Sequence, residues 1–257
     1  MQGIKIVDIN ADNILDYGIC GYKSLKREGF PEKVNWIREN SSYGLKIKAI
    51  LTENDGVQGM IEYLSGEYCW RPVDAKGFMF IHCLFVGFKK KYKNKGYASL
   101  LIDKCIEDAK ESDKLGVAVV TRAGSFMVGK EIFIKKGFEV VDSAPPDFEL
   151  LVLKFIPNVA IPRFHVALKS DVKLERGLTI MRSAQCPYTK KNVTEIIESA
   201  KSIFGITPVI IDNKDYLEAQ KTPCAFGTFC ISYNENVISY HPISNRRFIN
   251  IMNSVCD

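Results

Sequence analysis

Apolar side chains recur along this chain with two spacings, every second residue in some segments and every third or fourth in others. Residues 1–8 alternate apolar and polar or charged positions and predict a strand. Residues 78–87 form a β-branched and aromatic run that predicts a buried strand, and just beyond it Leu101, Ile102, Cys105, Ile106 and Ala109 fall on one side of a helix. Residues 148–155 predict another apolar strand. The pattern then lapses: Pro157, Pro162 and the charged run 169–177 contain no core spacing and read as a linker on the surface. Past Gly177 a second pattern starts, with a strand over 178–181 and a helix over 189–204. Val193, Ile196, Ile197, Ala200 and Ile203 make one apolar stripe on that helix. A strand over 207–211, a short helix near 215–219, hairpin strands over 229–233 and 237–240 and a helix from Asn245 complete the order βαβαββα. The fold class is α/β, with one domain over 1–156, a linker over 157–177 and a smaller domain over 178–257.

Length supports two cores, because 257 residues exceed the ~100 to 200 of one ordinary domain. With 46% apolar and 25% charged residues and a mean hydropathy of −0.05, the chain can bury a core, which excludes wholesale disorder and fibrous architectures. The longest apolar run, residues 78–88, is interrupted by His82, Cys83 and Gly87 and falls short of the ~20 residues a bilayer span requires. The amino-terminal pattern is not that of a signal peptide, so a cytoplasmic location and no membrane partner are expected. Eight cysteines are scattered through apolar segments without C-x-x-C spacing, which predicts reduced thiols and no metal site. A net charge of +5, from 35 basic and 30 acidic residues, is too weak to predict a nucleic-acid partner.

One cluster of charge stands out. The strand over 78–87 runs into Phe88-Lys89-Lys90-Lys91-Tyr92-Lys93-Asn94-Lys95-Gly96-Tyr97-Ala98, and the helix follows at once. A helix start presents unpaired N–H groups and the positive end of the helix dipole, and Gly96 and Ala98 let the backbone approach an anion. The five lysines add positive potential. A phosphate-binding loop and a solvated basic turn are both compatible with this pattern.

Leu84-Phe85-Val86 with Lys93-Asn94-Lys95-Gly96-Tyr97-Ala98 resembles motif A of the GNAT acetyltransferases. Residues 116–122 resemble the strand that follows it, and Glu131-Ile132-Phe133-Ile134-Lys135-Lys136-Gly137-Phe138 resembles the aromatic helix of motif B. The resemblance covers about residues 3–155 and implies a mixed-sheet acyltransferase fold with acetyl-CoA as cosubstrate. It implies that backbone groups of Leu84, Phe85 and Val86 hold the pantetheine arm, and that Lys91, Tyr92, Lys93, Asn94, Lys95, Gly96, Tyr97 and Ala98 hold the pyrophosphate. It also implies direct transfer to an amine; the identity of the amine and the oligomeric state of the chain stay open. Phe133 stands where many members have a tyrosine that protonates the departing thiolate, and a phenylalanine has no proton to give. His82, on the same strand face as Leu84 and Val86 by alternation, corresponds to a histidine in the base pathway of the arylalkylamine acetyltransferases. With an ordinary pKa of ~6.5 it suits a general base; the other reading is a buried imidazole satisfied by a backbone carbonyl.

In the second domain Cys186 opens a helix within Gln185-Cys186-Pro187-Tyr188-Thr189. Meeting the dipole there lowers a thiol's pKa and makes it reactive. Element order and Cys-Pro-Tyr resemble the thioredoxin/glutaredoxin fold, and Thr222-Pro223 matches that fold's cis-proline position. Thr189 replaces the second cysteine of a dithiol enzyme, so Cys186 is a monothiol or a packing residue. Cys224 is a candidate neighbour for it. The whole arrangement is similar to the YoaP-type bacterial acetyltransferases, which implies an N-acetyltransferase. The alternatives are a non-catalytic acyl-CoA-binding or interaction module, and a monothiol redox protein using Cys186.

Overall fold

The computed structural model describes residues 3–169 and 174–256. In chain order the first part holds β1 (Ile4–Ile9), α1 (Ile14–Tyr17), α2 (Phe30–Ser41), β2 (Lys46–Thr52), β3 (Gly56–Ser65), β4 (Val73–Asp74), β5 (Met79–Val86), α3 (Tyr97–Glu111), β6 (Gly116–Thr121), α4 (Glu131–Ile134), β7 (Glu139–Ala144) and β8 (Phe148–Lys154). Seven of these strands form one sheet in the order β1-β2-β3-β5-β6-β8-β7. Within it β5 and β6 pair in parallel and their neighbours antiparallel, so the sheet is mixed. A parallel pair needs a crossover, and α3 supplies it.

Both faces of the sheet are covered. The α3 side chains of Leu101, Ile102 and Cys105 pack on Met79, Ile81, Val117 and Val119. Burying an aliphatic side chain of this size stabilises by roughly 1.5–3 kcal/mol, so this face fixes where α3 begins and therefore where its open amide end sits. On the other face α2 lays Phe30, Val34 and Ile37 over Ile47, Ala49 and Met60. The rest of that face meets the second part of the chain.

That second part contains β10 (Leu178–Arg182), α5 (Tyr188–Phe204), β11 (Val209–Asp212), α6 (Tyr216–Ala219), β12 (Phe229–Tyr233), β13 (Asn236–Ser239) and α7 (Asn245–Val255). Its sheet has the order β11-β10-β12-β13, with β10 parallel to β11 and antiparallel to β12. The element order is the one that periodicity predicts, with boundaries displaced by one or two residues. The stripe of Val193, Ile196 and Ala200 is buried, but Ile203 at its end is exposed.

The linker reading is corrected in part. Residues 170–173 lie outside the described residues, but Arg163–Phe164 forms a short strand, β9, paired with β4, and Phe164 is buried. An isolated aromatic has no period to reveal it. The two parts share a core in which Phe80, Val120 and Leu150 join Phe226, Phe229 and Ile231. Gly227 has φ 72°, and a side chain there would strike the Trp70 carbonyl; one at Gly29 would strike the Pro187 carbonyl. Close backbone approach at both junctions requires glycine. Among the described residues no helix is long and apolar enough to cross a membrane.

Candidate active site

The site is built around the place where β5 leaves β6. Their parallel pairing covers Met79↔Val117, Phe80↔Ala118 and Ile81↔Val119, and no further pair continues it. Residues His82 through Val86 therefore keep β3 on one edge and face a cleft on the other. Ile81, His82, Leu84, Val119, Phe133 and Arg71 line its closed end. At its open end residues 87–96 turn into α3 through positive φ at Gly87, Asn94 and Gly96. Gly96, the residue before the helix, has φ 79° and nothing within 4 Å of where a side chain would begin. Conformation rather than crowding requires glycine there, and open space is left in front of it. Leu100 N–H donates to Gly96 O at 3.0 Å, so the amides of Tyr97, Ala98 and Ser99 are the unpaired first-turn donors of a fifteen-residue helix.

Two of the five lysines of this loop share one carboxylate. Lys91 Nζ lies 2.5 Å from Asp55, Lys89 pairs with the same carboxylate, and Tyr92 Oη donates to it at 2.7 Å. These three hydrogen bonds hold the Asp55 carboxyl well below the usual carboxylate range. Lys91 and Tyr92 thus brace the loop. Among the described residues no carboxylate pairs with Lys93 or Lys95, which flank Asn94 at the helix entrance. Leu84 and Tyr97 bury their side chains in the α3 core, Ala98 and Val86 are half-buried, and Phe85 is exposed against Phe88 at 4.3 Å between ring centroids. Of these, Leu84 lines the cleft, and Leu84, Phe85 and Val86 pair with β3 and have no partner in β6. Asp55 escapes a reading of the sequence because Asp55-Gly56 there is only a hairpin-turn signal.

His82 requires two corrections. First, the β3–β5 register pairs Glu62 with Cys83 but Tyr63 with Ile81, so His82 is the extra residue of a β-bulge. Alternation breaks there: Leu84 joins Ile81 under α3, whereas His82 packs against Phe80 and Trp36 on the opposite face. Second, its partner is a donor, because His82 Nε2 accepts the Trp70 N–H at 2.9 Å. Neither the reading as a free base nor the reading as a donor to a carbonyl matches this. Burial, then the positive charges of Arg71 and Lys33, lowers its pKa well below the ordinary value. A lone pair already used by an N–H and a ring that resists protonation make a poor proton acceptor. Phe133, 1% exposed and packed on Phe138, lines the same cleft without a hydroxyl.

Behind β5 lies a buried ion pair. Lys33 Nζ and Glu62 Oε2 are 2.5 Å apart with both side chains almost wholly out of water, and Gln185 Nε2 donates to the other carboxylate oxygen at 2.7 Å. That contact joins α2, β3 and the second part of the chain.

Cys186 sits immediately before α5, on the wall of a cleft of about 520 Å³ that also includes Glu32 and Trp36 of α2 and Arg182 and Lys190. The expectation of a lowered pKa is reversed. Burial pushes the thiol up and outweighs the backbone N–H groups of Tyr188 and Thr189. Nor is Cys224 its partner: the thiol beside Cys224 is Cys230. Thr222–Pro223 is trans, the cis peptide among the described residues being Pro145–Pro146. All eight cysteines are free, and no group of three or more His, Cys, Asp or Glu among the described residues is placed to hold a metal ion.

Residues 209–250 match the family described as YoaP-like. Among solved structures, yncA of Salmonella typhimurium, determined with its cofactor acetyl-CoA, is 13% identical with a TM-score of 0.46, covering 62% of this chain and 98% of that one. An acetyltransferase structure from Acinetobacter baylyi ADP1 is 15% identical with a TM-score of 0.45, covering 59% and 93%. Over nearly the full length, the protein named "Uncharacterized N-acetyltransferase YoaP" from Bacillus subtilis (strain 168) is 30% identical across 254 residues, 97% of this chain and 98% of that relative. This end-to-end similarity makes the chain a member of the YoaP family of N-acetyltransferases.

Proposed function

We propose that the chain transfers the acetyl group of acetyl-CoA directly to an amine, within residues 1–156. The observation that carries this reading is the divergence of β5 from β6 at Ile81↔Val119, followed by a glycine-entered helix whose first amides are open. The pantetheine arm lies along the backbone of Leu84, Phe85 and Val86 as an added strand would. Its pyrophosphate meets the amides of Tyr97 and Ala98, with Lys93 and Lys95 supplying charge and the braced Lys91–Tyr92 turn fixing their position. The residues fit such a ligand, since Gly96 leaves room and the two unpaired lysines lack competing carboxylates. Acetyl-CoA is already activated, so holding it beside the amine supplies most of what the reaction needs and no acyl-enzyme is required. Residues 178–257 close the acceptor side of the sheet and shape the entry of the amine.

Isothermal calorimetry with acetyl-CoA tests the reading. Wild-type chain binds, and Gly96→Glu, which sets a carboxylate among the phosphates, weakens binding at least tenfold while the far-ultraviolet spectrum stays the same. No binding at millimolar coenzyme, or unchanged binding by Gly96→Glu, overturns it. A screen of amines by thiol release then identifies the acceptor.

A further inference from the structure

Two buried nitrogen donors at the closed end of the β5–β6 cleft have no acceptor. Arg71 is 4% exposed; its Nη1 donates to Phe226 O and its Nη2 to His82 O at 3.1 Å, and its Nε is unpartnered. Among the described residues no carboxylate pairs with it. Burial brings its pKa down to about 10, which leaves it cationic at neutral pH. His82 is 6% exposed, and because its Nε2 accepts from Trp70, a neutral ring carries its proton at Nδ1, which is also unpartnered. Both residues line the cleft with Ile81, Leu84, Val119 and Phe133. A buried cation without a counter-ion, beside a buried N–H without an acceptor, destabilises a fold unless something else supplies the missing oxygen.

The coenzyme supplies one, and here the inference rests on the function proposed above. Its phosphates belong at the open end of the cleft, by the start of α3, so its acyl end reaches the closed end where β5 and β6 rejoin. We propose that Arg71 Nε–H and His82 Nδ1–H donate to the acyl oxygen of bound acetyl-CoA and stabilise the negative charge that develops there during transfer. As the amine nitrogen bonds to the acyl carbon, the carbonyl π pair moves onto the oxygen these donors hold. When the pair returns, the carbon–sulfur bond breaks, its electrons leave on the thiolate, and the amine proton passes to water. Neither Arg71 nor His82 gains or loses a proton. Donors fixed before the reaction stabilise charge without reorganising, and a water-poor pocket strengthens the effect. His82 is therefore an electrophilic group in this site and not its base.

Isotope-edited infrared difference spectroscopy reads this without an acceptor amine, using acetyl-CoA labelled with ¹³C at the acyl carbon and the full chain. The carbonyl stretch moves to lower wavenumber on binding to wild type. His82→Asn, whose amide can both accept from Trp70 and donate, keeps more than half of that shift. His82→Leu loses at least half, and Arg71→Met loses part of it as well. Calorimetry on the same samples separates the two claims: coenzyme that binds with an unshifted carbonyl overturns this proposal alone, and coenzyme that does not bind overturns both. A full shift in His82→Leu also overturns it, as a histidine acting only as base requires. The wild-type spectrum decides the matter even where a variant fails to fold.

Discussion

His82 ties its burial to pH. Desolvation first, then Arg71 and Lys33, holds its pKa in the folded chain well below the ordinary ~6.5, so below that pH the unfolded chain takes up a proton that the folded chain refuses. Stability is therefore complete above ~6.5 and falls with decreasing pH, by about 1.4 kcal/mol per unit from this residue until its folded pKa is reached. Urea unfolding from pH 7 to 5.5 shows that slope in wild type and a shallower one in His82→Asn; equal slopes contradict it. Cys186 illustrates the same competition with the opposite charge. Because burial raises its pKa, little thiolate forms near neutrality, and thiolate is the reactive species. Iodoacetamide at pH 7 labels exposed Cys256 at least tenfold faster than Cys186, read by peptide mass spectrometry. Faster labelling of Cys186 would restore it as a reactive thiol.

At the scale of elements, the basic loop between β5 and α3 is positioned from outside itself. Asp55, in the turn between β2 and β3, gathers Lys89, Lys91 and Tyr92, so the loop's shape depends on a carboxylate more than thirty positions earlier in the chain. Removing it with Asp55→Ala frees all three side chains while leaving β5 and α3 packed on the sheet. Hydrogen exchange of amides 89–93 accordingly becomes faster in that variant and exchange in α3 is unchanged; equal exchange in the loop would show that the brace contributes nothing. The bulge at His82 is the other decision taken at this scale. It sends Leu84 under α3 and His82 to the opposite face, where Trp70 and Arg71 meet it.

Across the whole molecule, the two sheets are held together by close backbone contact as well as by their shared core. Gly227 sits at φ 72° with the Trp70 carbonyl where a side chain would go, next to the Arg71 contact with Phe226 O. Gly205, which ends α5 at φ 66°, has open space instead. Gly205→Ala incurs only the left-handed backbone cost of about 1 kcal/mol, whereas Gly227→Ala adds a collision and costs about 2 kcal/mol or more. Urea unfolding of the two variants distinguishes them, and equal losses would mean that the junction yields. Elsewhere between the two parts, Tyr188 donating to Cys20 O and Gln185 donating to Glu62 make the contact polar and specific.

Secondary structure was legible in this chain because periodicity is local. The β5 run, the α3 face and the βαβαββα order of the second part are properties of residues a few positions apart, as is the glycine that enters α3. The family was readable for the same reason, since Lys93-Asn94-Lys95-Gly96-Tyr97-Ala98 is one contiguous motif. The environment of each reactive side chain was not. Alternation places His82 with Leu84, but a bulge is set by the register with β3 and leaves no mark in β5 itself. Helix position alone would make Cys186 acidic, yet its thiol is pushed up by partial burial against α2, which depends on how the two sheets dock. Asp55, Arg71 and Phe164 find their partners across long stretches of chain, and only tertiary packing brings those partners within reach and removes the water that would otherwise satisfy them.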